Sequence, residues 1–199
     1  MSNLSDMIGI AHLFNGFNYS FVEDRYGNLN SSIYFQNGYL QVPPGVYFSY
    51  DFTFTVWIKL KSFKAYSRVI DFGNWGSNDM ITVFFPEKSS KIYAGVWHTS
   101  NKESFLMTSS LLDLNKWYHV AFTSNKNKGY IYVNGGQVAI NYLLTPNNVT
   151  RNSNFIGKSN SNDSNTEAVY DELKIYSGSL TSNYILDDYI RDSKNGSYF

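Results

Sequence analysis

Residues 52–60 read Phe-Thr-Phe-Thr-Val-Trp-Ile-Lys-Leu, with apolar side chains at every second position. A strand sends alternate side chains to one face, so Phe52, Phe54, Val56, Ile58 and Leu60 form an apolar stripe. Nine residues at period two predict a strand. Shorter runs predict strands at 38–42, 67–72, 80–85, 91–98, 118–124, 128–133, 137–141 and 154–157. Asn134-Gly135-Gly136 between two such runs predicts a tight hairpin, whose central residues must accept positive φ. Residues 179–192 read instead as a short helix, with Thr181 or Ser182 as N-cap and Tyr184, Ile185 and Tyr189 facing the body. The tail 193–199 is expected to fray, and 147–154 and 159–166 are polar Asn/Ser loops. Many short strands with one helix predict an all-β, two-sheet antiparallel sandwich or jelly roll. It is read as one domain over 1–199, with its core at about 8–190.

The stretch Val169-Tyr170-Asp171-Glu172-Leu173-Lys174-Ile175-Tyr176 also alternates. Its period places Asp171 with Val169, Leu173 and Ile175 on the core face. A carboxylate there is costly unless it is paired, hydrogen-bonded or bound to a metal. The residues alone leave three partners open: a calcium ion, an arginine, or a backbone amide.

Composition narrows the class. In 199 residues there are 16 basic and 16 acidic side chains, with no cysteine. Without a basic stripe or polybasic run, nucleic acid and anionic membranes are not expected partners. The missing thiols exclude disulfides, thiolate catalysis and thiolate zinc sites. Neither a signal stretch nor a long apolar run is present. Aromatic residues make up 18% of the chain, which suits pleated, half-buried surfaces. Sequons at Asn3, Asn18, Asn30, Asn148, Asn162 and Asn195 favour an extracellular setting as part of a larger secreted protein, though chance produces several in a chain this rich in Asn and Ser.

Several blocks, in order, resemble the laminin G-like jelly rolls of the concanavalin A-like lectin/glucanase superfamily. They are Asp24-Arg25-Tyr26-Gly27-Asn28, Ser32 to Phe35, Gly38 to Pro43, Phe52 to Ile58, Asn115 to Ala121, Tyr130 to Gly135, Phe155-Ile156-Gly157 and Tyr170 to Tyr176. The likeness runs from about Ile8 to Tyr189. It implies two antiparallel sheets packed face to face and a structural calcium near Asp171. The other ligands it implies are Asp24, with Asn15 and the carbonyls near Asn37 and Gly38 as helpers. Asp24 has a competing role, bracing Arg25 or capping a turn. The segment Asn15 to Ser20, read as a loop, carries no carboxylate, so the expected ion is held with moderate affinity.

Glycoside hydrolases of related fold need two carboxylates facing one cleft. None of Glu23, Glu87, Glu103, Glu167 or Glu172 has an acidic partner two or four positions away in a confident strand. His12, His98 and His119 are dispersed, and no nucleophile-elbow motif is present. The chain is therefore expected to be non-catalytic.

Sugar-binding proteins stack an aromatic ring on the apolar face of a sugar and orient it with polar side chains. Trp57 and Trp117 fall at core positions of the resembled family. The candidate ligand residues are Trp75 with Asn74 and Asp79 in a Gly/Asn-rich loop, Trp97 and Tyr93 on one strand face with His98 following, and Tyr66. Each has a plain structural alternative as cover for the core or sheet edge. The expected function is recognition of a glycan or an extracellular protein, with calcium serving structure.

Overall fold

The computed structural model describes residues 3–75, 78–87, 89–99, 101–109 and 112–194. Gly76, Ser77 and Ser100 of the two candidate ligand loops lie outside these residues, as do 195–199 and the sequon at Asn195.

Among the described residues, twelve strands and a helix follow the chain as β1 (Phe14–Val22), β2 (Ser32–Val42), β3 (Phe52–Leu60), β4 (Arg68–Asn74), β5 (Asn78–Phe84), β6 (Tyr93–Thr99), β7 (Lys102–Met107), β8 (Trp117–Asn125), β9 (Lys128–Val133), β10 (Gly136–Tyr142), β11 (Ser153–Ile156), β12 (Thr166–Tyr176) and α1 (Ser182–Lys194). Their order is β10-β9-β8-β3-β12-β2-β11-β4-β5-β6-β7, with β1 on β2 and every pairing antiparallel. The order folds over on itself, so that β7 lies beside β9 and β10. Its two halves become the two layers of the sandwich.

The fold-over happens in β2. Residues up to Gly38 pair with β12, and Leu40 to Val42 pair with β11. Asn37 takes φ of 55°, and Gly38 lies so close to β1 that a Cβ would sit 2.1 Å from the Asn18 carbonyl oxygen. Only glycine fits that crossing.

Between the layers, Phe52, Phe54, Val56, Ile58 and Leu60 are buried as the alternation predicts. Phe48 packs edge-on against Phe52 and Phe72, and Phe52 against Phe122, at centroid distances of 4.9–5.3 Å. The Asn134-Gly135 turn joins β9 to β10 with φ of 50° and 78°. Lys126 and Asn127, at 46° and 63°, form a second such turn without a glycine to announce it.

Strands β1 and β7 were not expected. Asn15 and Asn18 bulge out of β1 at positive φ, which breaks its alternation and made Asn15 to Ser20 read as a loop. Asparagine tolerates the left-handed region better than most residues. Seven of the thirteen described non-glycine residues with positive φ are Asn, which gives the chain's Asn content a backbone use.

The helix starts where expected, with the Thr181 hydroxyl accepting from the Tyr184 amide at 3.4 Å. Ile185 is buried and Tyr189 partly so, but Tyr184 points to solvent rather than to the body.

Candidate functional site

The predicted phase of β12 breaks at Asp171. Between Asp171 and Lys174 the register with β3 shifts by one residue, and Glu172 adopts φ of 49°: a β-bulge. Before it, Ala168 and Tyr170 face the core. After it, Leu173 and Ile175 do. Asp171 is buried, as expected, but on the opposite face, opposite Trp57 and under α1.

Its partner there is Arg25, which donates to one carboxylate oxygen, while the other accepts from the Glu172 amide at 2.9 Å. The same guanidinium lies 4.7 Å from the Trp57 ring and 4.5 Å from that of Tyr26. It also donates to the Asp192 carbonyl near the helix C-terminus, where a cation is favoured. Lys174 reaches Asp188 at 3.1 Å and Asp192 at 2.7 Å, and buried His119 lies 3.5 Å from Asp188. Burial pushes the Asp188 carboxyl up, but His119 and Lys174 outweigh it and hold it at about 2. These ion pairs dock the helix.

The residues do not fit the expected calcium. Arg25 already neutralises Asp171, and a divalent cation there would face a guanidinium. Asp24 caps a turn, accepting from the amides of Tyr26 at 2.8 Å and Asn28 at 3.0 Å. Partial burial opposes ionisation, yet hydrogen bonds from Asn28 and Tyr26 hold its carboxyl below the usual range. Asn15, hydrogen-bonded to Gln41, sits at the other end of β1, and Asn37 and Gly38 make the β2 corner. No group of three or more His, Asp or Glu among the described residues is placed to share an ion.

Of the ligand candidates, Tyr66 and Tyr93 are brought together on the outer face of the layer formed by β4 to β7. Tyr66 lies 6.4 Å from Phe84, Phe84 5.1 Å from Tyr93, and Tyr93 5.1 Å from Phe105, each pair tilted by 31–40°. Phe84 and Tyr93 are direct cross-strand partners, so their spacing follows that of the strands. Tyr66 is 43% exposed, Phe105 41%, and Met107, opposite Tyr93, 43%. Trp97 joins this face. Gly95 leaves room for it: a Cβ there would meet the indole at 2.5 Å.

Behind the rings stands a polar wall. Arg68 lies 4.5 Å from the Phe84 ring and binds Asp71 at 3.2 Å, Asp163 at 2.9 Å and the Tyr66 carbonyl at 2.6 Å. Asp71 also accepts from the Asn160 amide and side chain at 3.1 and 3.0 Å. Its complete burial still pushes the carboxyl upward. The 159–166 loop is thus clamped over β4, and Arg68 has a fixed geometry.

The other candidates do not join this face. Trp75 is 83% exposed, in the β4–β5 turn at the far end from Phe84. Asn74 instead binds Asn152 and the Thr150 carbonyl, and Asp79 accepts from Asn147 at 2.6 Å. The His98 ring lies 2.7 Å from the Thr145 carbonyl. Phe84 lies in the predicted 80–85 strand, but its surface neighbours Phe105 and Met107 carry no local signal that assigns them to a strand beside it.

A family model described as the concanavalin A-like lectin/glucanases superfamily matches residues 35–186. The chain belongs to that superfamily, as a laminin G-like member. Among solved structures, this laminin G-like chain is similar to domain 4 of AbnA, a GH43 extracellular arabinanase from Geobacillus stearothermophilus, in complex with arabinotriose. The TM-score is 0.70 at 17% identity, covering 94% of this chain and 92% of that one. It also resembles the receptor binding domain of botulinum neurotoxin type G (TM-score 0.68, 14% identity, 92% of this chain and 47% of that one). The binding domain of botulinum neurotoxin DC in complex with SialylT gives 0.60 at 17% identity, over 77% and 39% of the two chains. The laminin G-like chain thus spans less than half of these neurotoxin chains. A comparison with curated proteins finds no match. At these identities the likeness establishes the fold alone.

Proposed function

We propose that this chain is a non-catalytic carbohydrate-recognition module of an extracellular protein, and that it binds through the outer face of β5 to β7. The observation that carries this reading is the run Tyr66–Phe84–Tyr93–Phe105, joined by Trp97. These tilted rings sit about one strand spacing apart, with Tyr66 and Phe105 open to water, Phe84 buried between neighbours, and fixed polar groups behind them. Aromatic faces of this kind offer large contact area at low entropic cost, and tyrosine adds a hydroxyl for orientation. An exposed row of rings of this kind suits an extended glycan better than a buried small molecule. Arg68 is already engaged by Asp71 and Asp163 and offers no free charge to an acidic sugar, so the face favours a neutral one. The arabinotriose complex of the similar arabinanase domain supports this reading by analogy of fold.

The test is a glycan array with the unaltered chain and with Tyr93→Ala and Phe105→Ala. Binding by the parent, weakened about tenfold or more in both variants at unchanged melting temperature, is the expected outcome. Capture of a surface protein without any array signal would favour protein adhesion. Turnover of a polysaccharide would overturn the non-catalytic reading.

A further inference from the structure

A second surface, on the outer face of the other layer, has different chemistry. Tyr34, Val169, Lys59 and Trp117 stand in one row across β2, β12, β3 and β8, because Val169 pairs with both Tyr34 and Lys59, and Lys59 with Trp117. Beside this row opens a groove of about 560 Å³, floored by Tyr34 and Val169 and edged by Lys59, Lys61, Glu23 and Glu167.

Its charges are unequally served. Glu167 already accepts from Ser62 at 2.8 Å and Tyr34 at 3.4 Å and pairs with Lys64 at 3.2 Å. Lys61 donates to Asn115 at 3.1 Å, a neutral partner. Lys59 rests 4.8 Å from the Trp117 ring, and among the described residues no carboxylate lies within ion-pair distance of it. Burial depresses its pKa, Lys61 depresses it further, and Glu23 opposes both. Two ammonium groups thus face one groove, and among the described residues neither meets a carboxylate. A half-buried cation is stabilised most by an anion that shares its desolvated setting.

We infer that this groove is a second ligand site, for a sugar bearing a carboxylate. The acid group sits between Lys59 and Lys61, the apolar ring face lies on Tyr34 and Val169, and hydroxyls donate to Glu23 and Glu167. A neutral sugar leaves the two ammonium groups unmatched. A polyanion meets repulsion from Glu23 and Glu167. The single acid with several hydroxyls fits both constraints.

Sodium glucuronate is the probe, with glucose as control, in an NMR titration of the labelled chain at low and at physiological ionic strength. Saturable shifts confined to the groove are expected with glucuronate and not with glucose, and they weaken as salt screens the lysines. Lys59→Met keeps the apolar stem and should weaken binding about tenfold or more, the effect of losing one charge-assisted hydrogen bond. Lys61→Met carries the same test if that variant fails to fold. Tyr93→Ala, which tests the aromatic face, should leave glucuronate binding intact, so the two sites fail independently. Absence of saturable shifts, equal response to glucose, or indifference to both lysine replacements overturns the inference.

Discussion

Arg25 and Asp171, 146 residues apart in the chain, form an ion pair sealed between Trp57, Tyr26 and the C-terminal helix. The pair ties the first loop, the β12 bulge and the helix end to one another.

Removing one partner leaves the other charge buried. Arg25→Met is expected to cost about 3–5 kcal/mol in urea unfolding. The double variant with Asp171→Asn should lose less than the sum of the two single changes, because they share one interaction.

Because a guanidinium neutralises Asp171, a chelator should leave the melting temperature unchanged. A clear fall on chelation, restored by calcium, would contradict the geometry described for this site.

Acid should loosen the helix. Asp188 titrates at about 2 when folded, against 3.8 for the free side chain. A depressed carboxylate contributes stability above its unfolded pKa and loses it as pH falls through the folded one. The contribution, on the order of 1–2 kcal/mol after screening, should disappear between about pH 4 and 2. Asp188→Asn should flatten that part of the stability profile. Asp71, shifted upward by burial, acts with the opposite sign and does not add to the loss.

Gly38→Ala should destabilise the fold by about 3 kcal/mol or more, because its new methyl group would overlap the Asn18 carbonyl. Asn37→Ala, a residue earlier, should cost only about 1 kcal/mol, since it meets a backbone preference and no collision. Equal effects in thermal unfolding would show that the corner can shift.

Trp75 provides a contrast to the aromatic face. At 83% exposure, Trp75→Ala should change stability by less than about 0.5 kcal/mol and leave glycan binding intact. Phe105→Ala should weaken that binding about tenfold.

The alternation of residues 52–60, the Asn134-Gly135 turn and the helix cap are local signals, and the structure follows them. Period two and positive φ are properties of neighbouring residues, so one dimension suffices to read them. Likewise Tyr93 and Trp97 were visible as aromatics on one face of a predicted strand, and Tyr66 as an aromatic just before another. That Phe84 and Phe105 complete their surface depends on the cross-strand registers of β5, β6 and β7, which the local pattern of each strand does not state.

Sequence by itself determined the all-β class, most of the core strands and the burial of Asp171. Tertiary structure decided which face Asp171 occupies, because one left-handed residue at Glu172 reverses the alternation that sequence reading relies on. It also decided the partner. A buried carboxylate requires a counter-charge, but whether that is an ion or Arg25 depends on which distant loop the fold brings within reach.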